Sequence, residues 1–459
     1  MEVKEFNFND EVDTLKNSSM FYMSLGSKEL FHSNFLHWLS IINFDVFLKI
    51  MHGLSDPDGK FWWEDQYKPN SNNIEVRREF HNFDLSIYIK VDEKCHRNGE
   101  PYDVWLPVLI LENKMKSLAY QDQLDGYLGK VYEEWHDYYK SDIENKWDAT
   151  KVSFIVLSLV TPSLKGDSQY GKIKCDWFLK NYEELSIILL GQVKSIVKEF
   201  DKSIIEDYCS FVKALFDIAN NDWKIDPANS YISKVCPRYS NDEDVKQKVK
   251  QLEELRIYDI REKIVYDQLI NLLQKELVNA ELGIGVERYK KDSYNTYKSK
   301  LQSTNLPKII CNTNFFHGVG LFEAIYLIRG RKDAKDEPFF LTIQIQGKHY
   351  TRGISRKNIV KIDNQVQNVN GKPHNKKVNC IKDLTDIGKE KLKFHIDIDD
   401  PSNILGKYDN SFIYTKREID PKVTIKELIK KIVDNITKIV DNAKNHNLDE
   451  PQIFLNYGN

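Results

Sequence analysis

The sequence predicts an α/β protein: an N-terminal core of mixed β-sheet flanked by helices, then a helical connection, then a C-terminal α/β unit. Apolar runs of strand length, notably Trp105 to Leu111 and Val152 to Val160, alternate with stretches of helical periodicity. A long helix too charged for a core element follows them, and strand-like alternation returns beyond about residue 290. At 459 residues the chain exceeds what one core holds, and its boundaries are expected near 1–222, 223–290 and 291–459.

The elements read in order as follows. From Ser27, placed as an N-cap, Leu30, Phe31, Phe35, Leu36 and Leu39 recur at helical spacing. Between Glu75 and Ile89 the pattern alternates, with Phe83, Leu85, Ile87 and Ile89 on one side of a strand. Trp105 to Leu111 is apolar without alternation through Val108, Leu109, Ile110 and Leu111, the mark of a strand buried on both faces. A helix over Gln121 to Trp135 leads to a third strand, Val152 to Val160, stopped by Thr161-Pro162. Helical periodicity then runs from Glu183 to Ile218.

After that, Asn220, Asn221, Asp222, Pro227, Pro237 and Asn241 mark an irregular connection. A charged helix from Asp244 to Ala280 carries the apolar stripe Val249, Leu252, Ile260, Ile264, Leu269, Leu273 and Leu277. Phe339 to Gln346 and Leu392 to Ile398 alternate as strands. The last helix has a capping box, Thr424-x-x-Glu427, and the stripe Ile425, Leu428, Ile432, Ile436 and Ile439.

Hydrophobic residues make up 41% of the chain, charged residues 29%, and the net charge is −3. The chain is therefore no polycation, and a nucleic-acid partner has to be carried by local patches. The six cysteines are scattered with no C-x-x-C pair, which argues against a zinc knuckle or a disulfide framework and for reduced thiols. The charged N-terminus has no apolar signal core, and no apolar run is long enough to span a membrane. These features predict a cytoplasmic protein with no membrane partner, and leave an oligomer open.

The chemistry-bearing stretch is Phe83-Asp84-Leu85 followed by Glu112-Asn113-Lys114 at the end of the next strand. Two carboxylates suit a hard divalent cation such as Mg²⁺ or Mn²⁺, which polarises a phosphate and lowers the pKa of a bound water. A lysine beside them can orient or deprotonate that water, the more so if burial depresses its pKa. Positions two apart on a strand face the same way, so Glu112 and Lys114 share a face. The carbonyl of Asn113 between them can add a metal ligand, and Asp84 can complete the site from an adjacent strand.

This pattern resembles the PD-(D/E)XK nuclease superfamily, whose mark is an Asp, a hairpin's gap, then (Asp/Glu)-x-Lys. Gln123-Leu124-Asp125-Gly126-Tyr127 looks like the Q-x-x-x-Y helix of RecB-type nucleases, and Glu29 to Leu36 is similar to the Glu-containing helix that opens many such domains. The resemblance covers about residues 20 to 190, and the residue before Asp84 is Phe83 where the family often has Pro. It implies a restriction-endonuclease-like core and metal-dependent cleavage of nucleic acid, DNA in preference to RNA, in bacterial defence or DNA processing. It makes Asp84, Glu112 and Glu29 metal ligands or their helpers, Lys114 the catalytic lysine, and Gln123 and Tyr127 hydrogen-bonding partners of the site. The competing expectation is a catalytically silent protein that keeps this fold for nucleic-acid binding or interaction, with Glu112 and Lys114 a plain ion pair.

Other signals carry less. Gly166 to Lys172 partly matches a phosphate-binding loop but has Ile173 where Ser or Thr belongs. His32 and His37, five apart on a helix, diverge and suit packing or surface roles. A basic stretch from Lys348 to Lys382 includes Lys348, Arg352, Arg356, Lys357, Lys376 and Lys377 and could follow a phosphate backbone, as could Arg288 to Lys300 with its interleaved tyrosines.

Overall fold

Helices open the chain: α1 (Phe8–Asn17), α2 (Ser19–Ser24), α3 (Lys28–Ile42) and α4 (Phe44–Leu54). The computed structural model describes residues 5–25, 28–55, 61, 63–64, 73–97, 100–115, 121–139, 152–160, 166–289, 308–316, 319–328, 339–356, 404–408 and 412–445. Short polar side chains start these helices, with Ser18 Oγ accepting the Phe21 N–H at 3.0 Å and Asn43 Oδ1 the Val46 N–H at 3.1 Å. The expected first helix is α3; Ser27, its expected cap, lies outside the described residues.

Next come β1 (Ile74–Phe80) and β2 (Phe83–Arg97), an antiparallel hairpin where the alternation from Glu75 to Ile89 predicts one strand. The chain reverses at His81 and Asn82, both left-handed with φ of 54° and 65°. Two such residues make a tight hairpin turn, and with no glycine present nothing obvious marks it in the sequence. β3 (Glu100–Lys114) pairs antiparallel with β2, and α5 (Gln121–Tyr139) carries the chain over to β4 (Ser153–Ser158), parallel to β3.

β5 (Asp167–Tyr170) and β6 (Ile173–Asn181) form a second hairpin, closed at Gly171 with φ of 61°. The partial phosphate-loop match is therefore strand and turn. β6 lies parallel to β4, giving a six-stranded mixed sheet in the order β1-β2-β3-β4-β6-β5. Phe154 to Leu157 and Val108 to Leu111 are buried throughout, as strands covered on both faces must be.

The helical run expected from Glu183 to Ile218 is two helices, α6 (Tyr182–Gln192) and α7 (Glu199–Asn221). A short 3₁₀ turn follows α6, after which Ile196 turns extended (ψ 130°) and buries its side chain. A single-turn helix, α8 (Ile232–Val235), precedes α9 (Glu243–Glu254) and α10 (Tyr258–Asn279), which replace the expected single charged helix. Between them Arg256 adopts φ of 56°, the Ile257 N–H reaches back to the Leu252 carbonyl at 3.0 Å, and the Arg256 N–H to the Glu253 carbonyl at 2.9 Å. That is a Schellman stop with Arg where Gly is usual. The apolar stripe expected along this stretch is buried at every position from Val249 to Leu277.

Compactness divides the chain into residues 1–224 with 251–264, and residues 225–250 with 265–459, so the expected connector is shared between two units. The second unit holds a seven-stranded sheet in the order β12-β13-β11-β10-β9-β8-β7. Its strands are β7 (Gly285–Tyr289), β8 (Lys308–Phe316), β9 (Val319–Ile328), β10 (Phe339–Gln346), β11 (His349–Arg356), β12 (Ile404–Tyr408) and β13 (Phe412–Glu418), all antiparallel except β7 with β8. The closing helix α11 (Ile425–Asn445) has its capping box formed, with the Thr424 N–H on Glu427 Oε2 at 2.9 Å and the Glu427 N–H on Thr424 Oγ1 at 3.2 Å. Its predicted apolar stripe is buried. The segment expected to be a connector is bound to the start of α11, the Ile425 N–H donating to the Ser230 carbonyl at 2.9 Å and Lys426 N–H to that of Pro227 at 2.8 Å. Leu392 to Ile398 lies outside the described residues.

Candidate active site

Strand β3 ends on Glu112-Asn113-Lys114, and the pleat sends their side chains to opposite faces of the sheet. Glu112 and Lys114 point to the α5 side. There Gln123 Nε2 donates to Glu112 Oε1 at 2.6 Å and to the Tyr127 hydroxyl at 2.6 Å. Gln123 and Tyr127, one helical turn apart on α5, thus close over the carboxylate of Glu112. Lys114 Nζ lies 2.5 Å from the same Oε1. Glu112 Oε2 is buried and, among the described residues, has no hydrogen-bond partner.

Asn113 points the other way. Its Nδ2 donates to Ser33 Oγ on α3 at 3.0 Å, and its Oδ1 accepts from the Tyr182 hydroxyl at 3.4 Å. These contacts fix the end of β3 against the helices on that face. Ser33 and Tyr182 were not singled out from the sequence, and only tertiary structure brings them here.

Asp84 completes the group from β2. The ladder between β2 and β3 stops at Leu85 opposite Leu111, and beyond it the Asn113 N–H is taken by Asp84 Oδ2 at 2.6 Å. The Leu159 N–H donates to the Lys114 carbonyl at 3.0 Å, so the main-chain groups of Glu112 and Lys114 turn to β4 and those of Asn113 to the Asp84 side. Asp84 and the Asn113 main chain therefore meet at the carboxyl end of β3, where α/β sheets commonly carry their sites, with the Glu112 carboxylate close enough to act on Asp84 electrostatically.

The electrostatics fit a group built around an excess of buried negative charge. Burial, then the Glu112 carboxylate, pushes Asp84 up to about 8, against the pull of Lys114 and the Asn113 N–H. Burial also raises Glu112, opposed by Lys114 and by the Tyr127 hydroxyl. For Lys114 burial works toward a lower pKa, but Glu112, Glu29 and Asp84 outweigh it and hold the ammonium above its ordinary value. The expectation of a depressed lysine is thus overturned, because the carboxylates surround it. Glu29, in the first turn of α3, is felt electrostatically by Glu112, Lys114 and Tyr182.

Among the described residues, no group of three or more His, Cys, Asp or Glu side chains makes a ready metal cage. Two carboxylates still suit Mg²⁺, which usually takes one or two from the protein and fills its shell with water and phosphate oxygens. The orphaned Glu112 Oε2 is the observation that such a cation would satisfy.

Farther along α5, Glu134 accepts the Tyr88 hydroxyl at 3.2 Å and lies 2.8 Å from His81 Nδ1, and burial pushes its carboxyl up to about 7. His32 is buried, its Nδ1 2.8 Å from the Tyr208 hydroxyl, in keeping with a packing role. Cys175 and Cys209 are buried free thiols, and Cys236 and Cys311 are buried as well, the Cys236 thiol against the Gly347 carbonyl at 2.8 Å.

The basic stretch of the second unit is only partly described. Lys348 pairs with Glu418 at 2.5 Å and sits 5.9 Å above the Tyr239 ring. Arg352 and Arg356 belong to β11, while Lys357, Lys376 and Lys377 lie outside the described residues, as does most of the tyrosine-rich stretch after Arg288. Among the described residues no helix is long and apolar enough to cross a membrane. Comparison with protein-family models, with curated proteins and with solved structures found no match.

Proposed function

We propose that the N-terminal unit is a metal-dependent nuclease of the PD-(D/E)XK kind, hydrolysing phosphodiester bonds with Asp84, Glu112 and Lys114. The observation that carries this reading is the convergence of Asp84, Glu112, Lys114, Gln123 and Tyr127 at one strand end, with one Glu112 oxygen buried and, among the described residues, unpartnered. Asp84, Glu112 and the Asn113 carbonyl would hold Mg²⁺ or Mn²⁺, which supplies Lewis-acid polarisation of the phosphate and a more acidic water.

The chain's own residues do the rest. Gln123 and Tyr127 orient the Glu112 carboxylate through Oε1, leaving Oε2 for the cation. Lys114, kept as an ammonium, donates to the attacking water or to a phosphoryl oxygen and offsets charge gathering there. Asn113, anchored by Ser33 and Tyr182, sets the position of its neighbours on β3.

The Lys114–Glu112 contact also favours a second reading, a binding protein with an idle site in which that pair is simply structural. Incubating the protein with plasmid, linear duplex, single-stranded DNA and RNA, under Mg²⁺, Mn²⁺ or EDTA, separates the two. Metal-dependent products support the nuclease and name its substrate class. Binding without products under every metal favours the second reading.

A further inference from the structure

Helix α5 carries two glycines three residues apart, and the structure explains only one. A Cβ on Gly129 would come within 2.8 Å of the Tyr170 ring, so the packing of β5 on α5 demands glycine there. Among the described residues a Cβ on Gly126 would meet nothing within 4 Å, and that position is exposed. Glycine is the poorest helix former after proline, so an interior glycine facing open space weakens α5 with no return in packing.

Gly126 is flanked by functional chemistry. Gln123, one turn before it, holds Glu112. Lys130, one turn after, lies over the Tyr127 and Phe83 rings at 5.5 and 5.9 Å and donates to the His81 carbonyl at 2.9 Å. Gln123, Gly126 and Lys130 recur at i, i+3 and i+7, along one stripe of the helix. From Gln123 to Lys130 the helix rises about 10 Å, a span comparable to three phosphates of duplex rise. His81 and Asn82, both exposed, top the β1–β2 turn beside Lys130.

We propose that the backbone of the cleaved strand leaves the Glu112–Lys114 centre across the bare surface at Gly126 and is gripped beyond it by Lys130 and the His81-Asn82 turn. This rests on the nuclease reading and assigns it a substrate track. An ammonium has three donors, so Lys130 can take a phosphate without releasing His81. A side chain at position 126 would stand between the strand and the helix.

The test uses the full chain with Gly126→Leu and Lys130→Ala, measuring melting temperature, binding of a fluorescent DNA oligonucleotide in EDTA at several salt concentrations, and cleavage with Mg²⁺. Gly126→Leu is expected to melt at or above the wild-type temperature yet to bind and cleave at least tenfold less well. Lys130→Ala is expected to weaken binding and flatten its salt dependence by about one phosphate contact. If the wild type binds and cuts and Gly126→Leu does so equally, the track is wrong and the nuclease stands. If the wild type neither binds nor cuts, the nuclease reading fails and takes the track with it.

Discussion

His32 gives the first test of how α3 is held against α6 and α7. Its ring packs among Phe31, Tyr182, Tyr208 and Phe211 with centroids 4.9 to 5.9 Å away, and burial lowers its pKa from 6.5 to about 3. Between those two values the unfolded chain takes up a proton that the folded chain refuses, so stability falls as pH drops through 6.5 and levels off only near 3. At pH 5 the gap from 6.5 is about 1.5 units, or about 2 kcal/mol lost relative to neutral pH. His32→Phe removes the proton and keeps a ring, giving up the Tyr208 contact at about 1 kcal/mol at every pH. Urea unfolding at pH 7.5 and pH 5 should then show a fall about 2 kcal/mol smaller in His32→Phe than in the wild type. An identical fall in both proteins would refute the assignment of His32 as a buried neutral residue, and with it this account of α3.

Asn113→Ala should leave Ser33 Oγ and the Tyr182 hydroxyl short of a partner, costing about 1–3 kcal/mol by denaturation, and should reduce cleavage more than it reduces DNA binding. Arg256→Gly should stabilise the protein by about 1 kcal/mol, since glycine carries no Cβ penalty at a φ of 56°, and a lower denaturation midpoint would contradict the Schellman stop. Mg²⁺ or Mn²⁺ should raise the melting temperature of the wild type and EDTA should reverse it. Asp84→Asn should abolish that shift, and an unchanged shift in Asp84→Asn would place the cation elsewhere.

The candidate site was largely legible because its chemistry is arranged by local rules. Glu112 and Lys114 share a face through the strand's two-residue period, and Gln123 and Tyr127 share one through a helical turn. What joins the two pairs is the helix following the strand, which the sequence also announces. Ser33 and Tyr182 escape such reading, since they reach Asn113 across separations of 80 and 69 residues. The raised pKa of Lys114 escapes it too, because it depends on which wins, burial or three nearby carboxylates, and only positions decide that.

In the fold, the strands and the Thr424 capping box follow from pattern. The breaks do not. His81, Asn82 and Arg256 turn left-handed without a glycine to mark them, so one strand becomes two and one helix becomes two. The division into units is likewise hidden, because the segment around Pro227 joins the start of α11 through main-chain hydrogen bonds that leave no residue signature.

The most direct test of the central claim is the initial rate of cleavage of a labelled nucleic acid with saturating Mn²⁺, wild type against Lys114→Ala. A lysine that donates to the attacking water or the phosphate predicts a loss of about 10²–10⁴-fold, with oligonucleotide binding close to the wild type at a temperature where both proteins remain folded. Equal rates in the two proteins would show that the Asp84–Glu112–Lys114 group is not where the chemistry occurs.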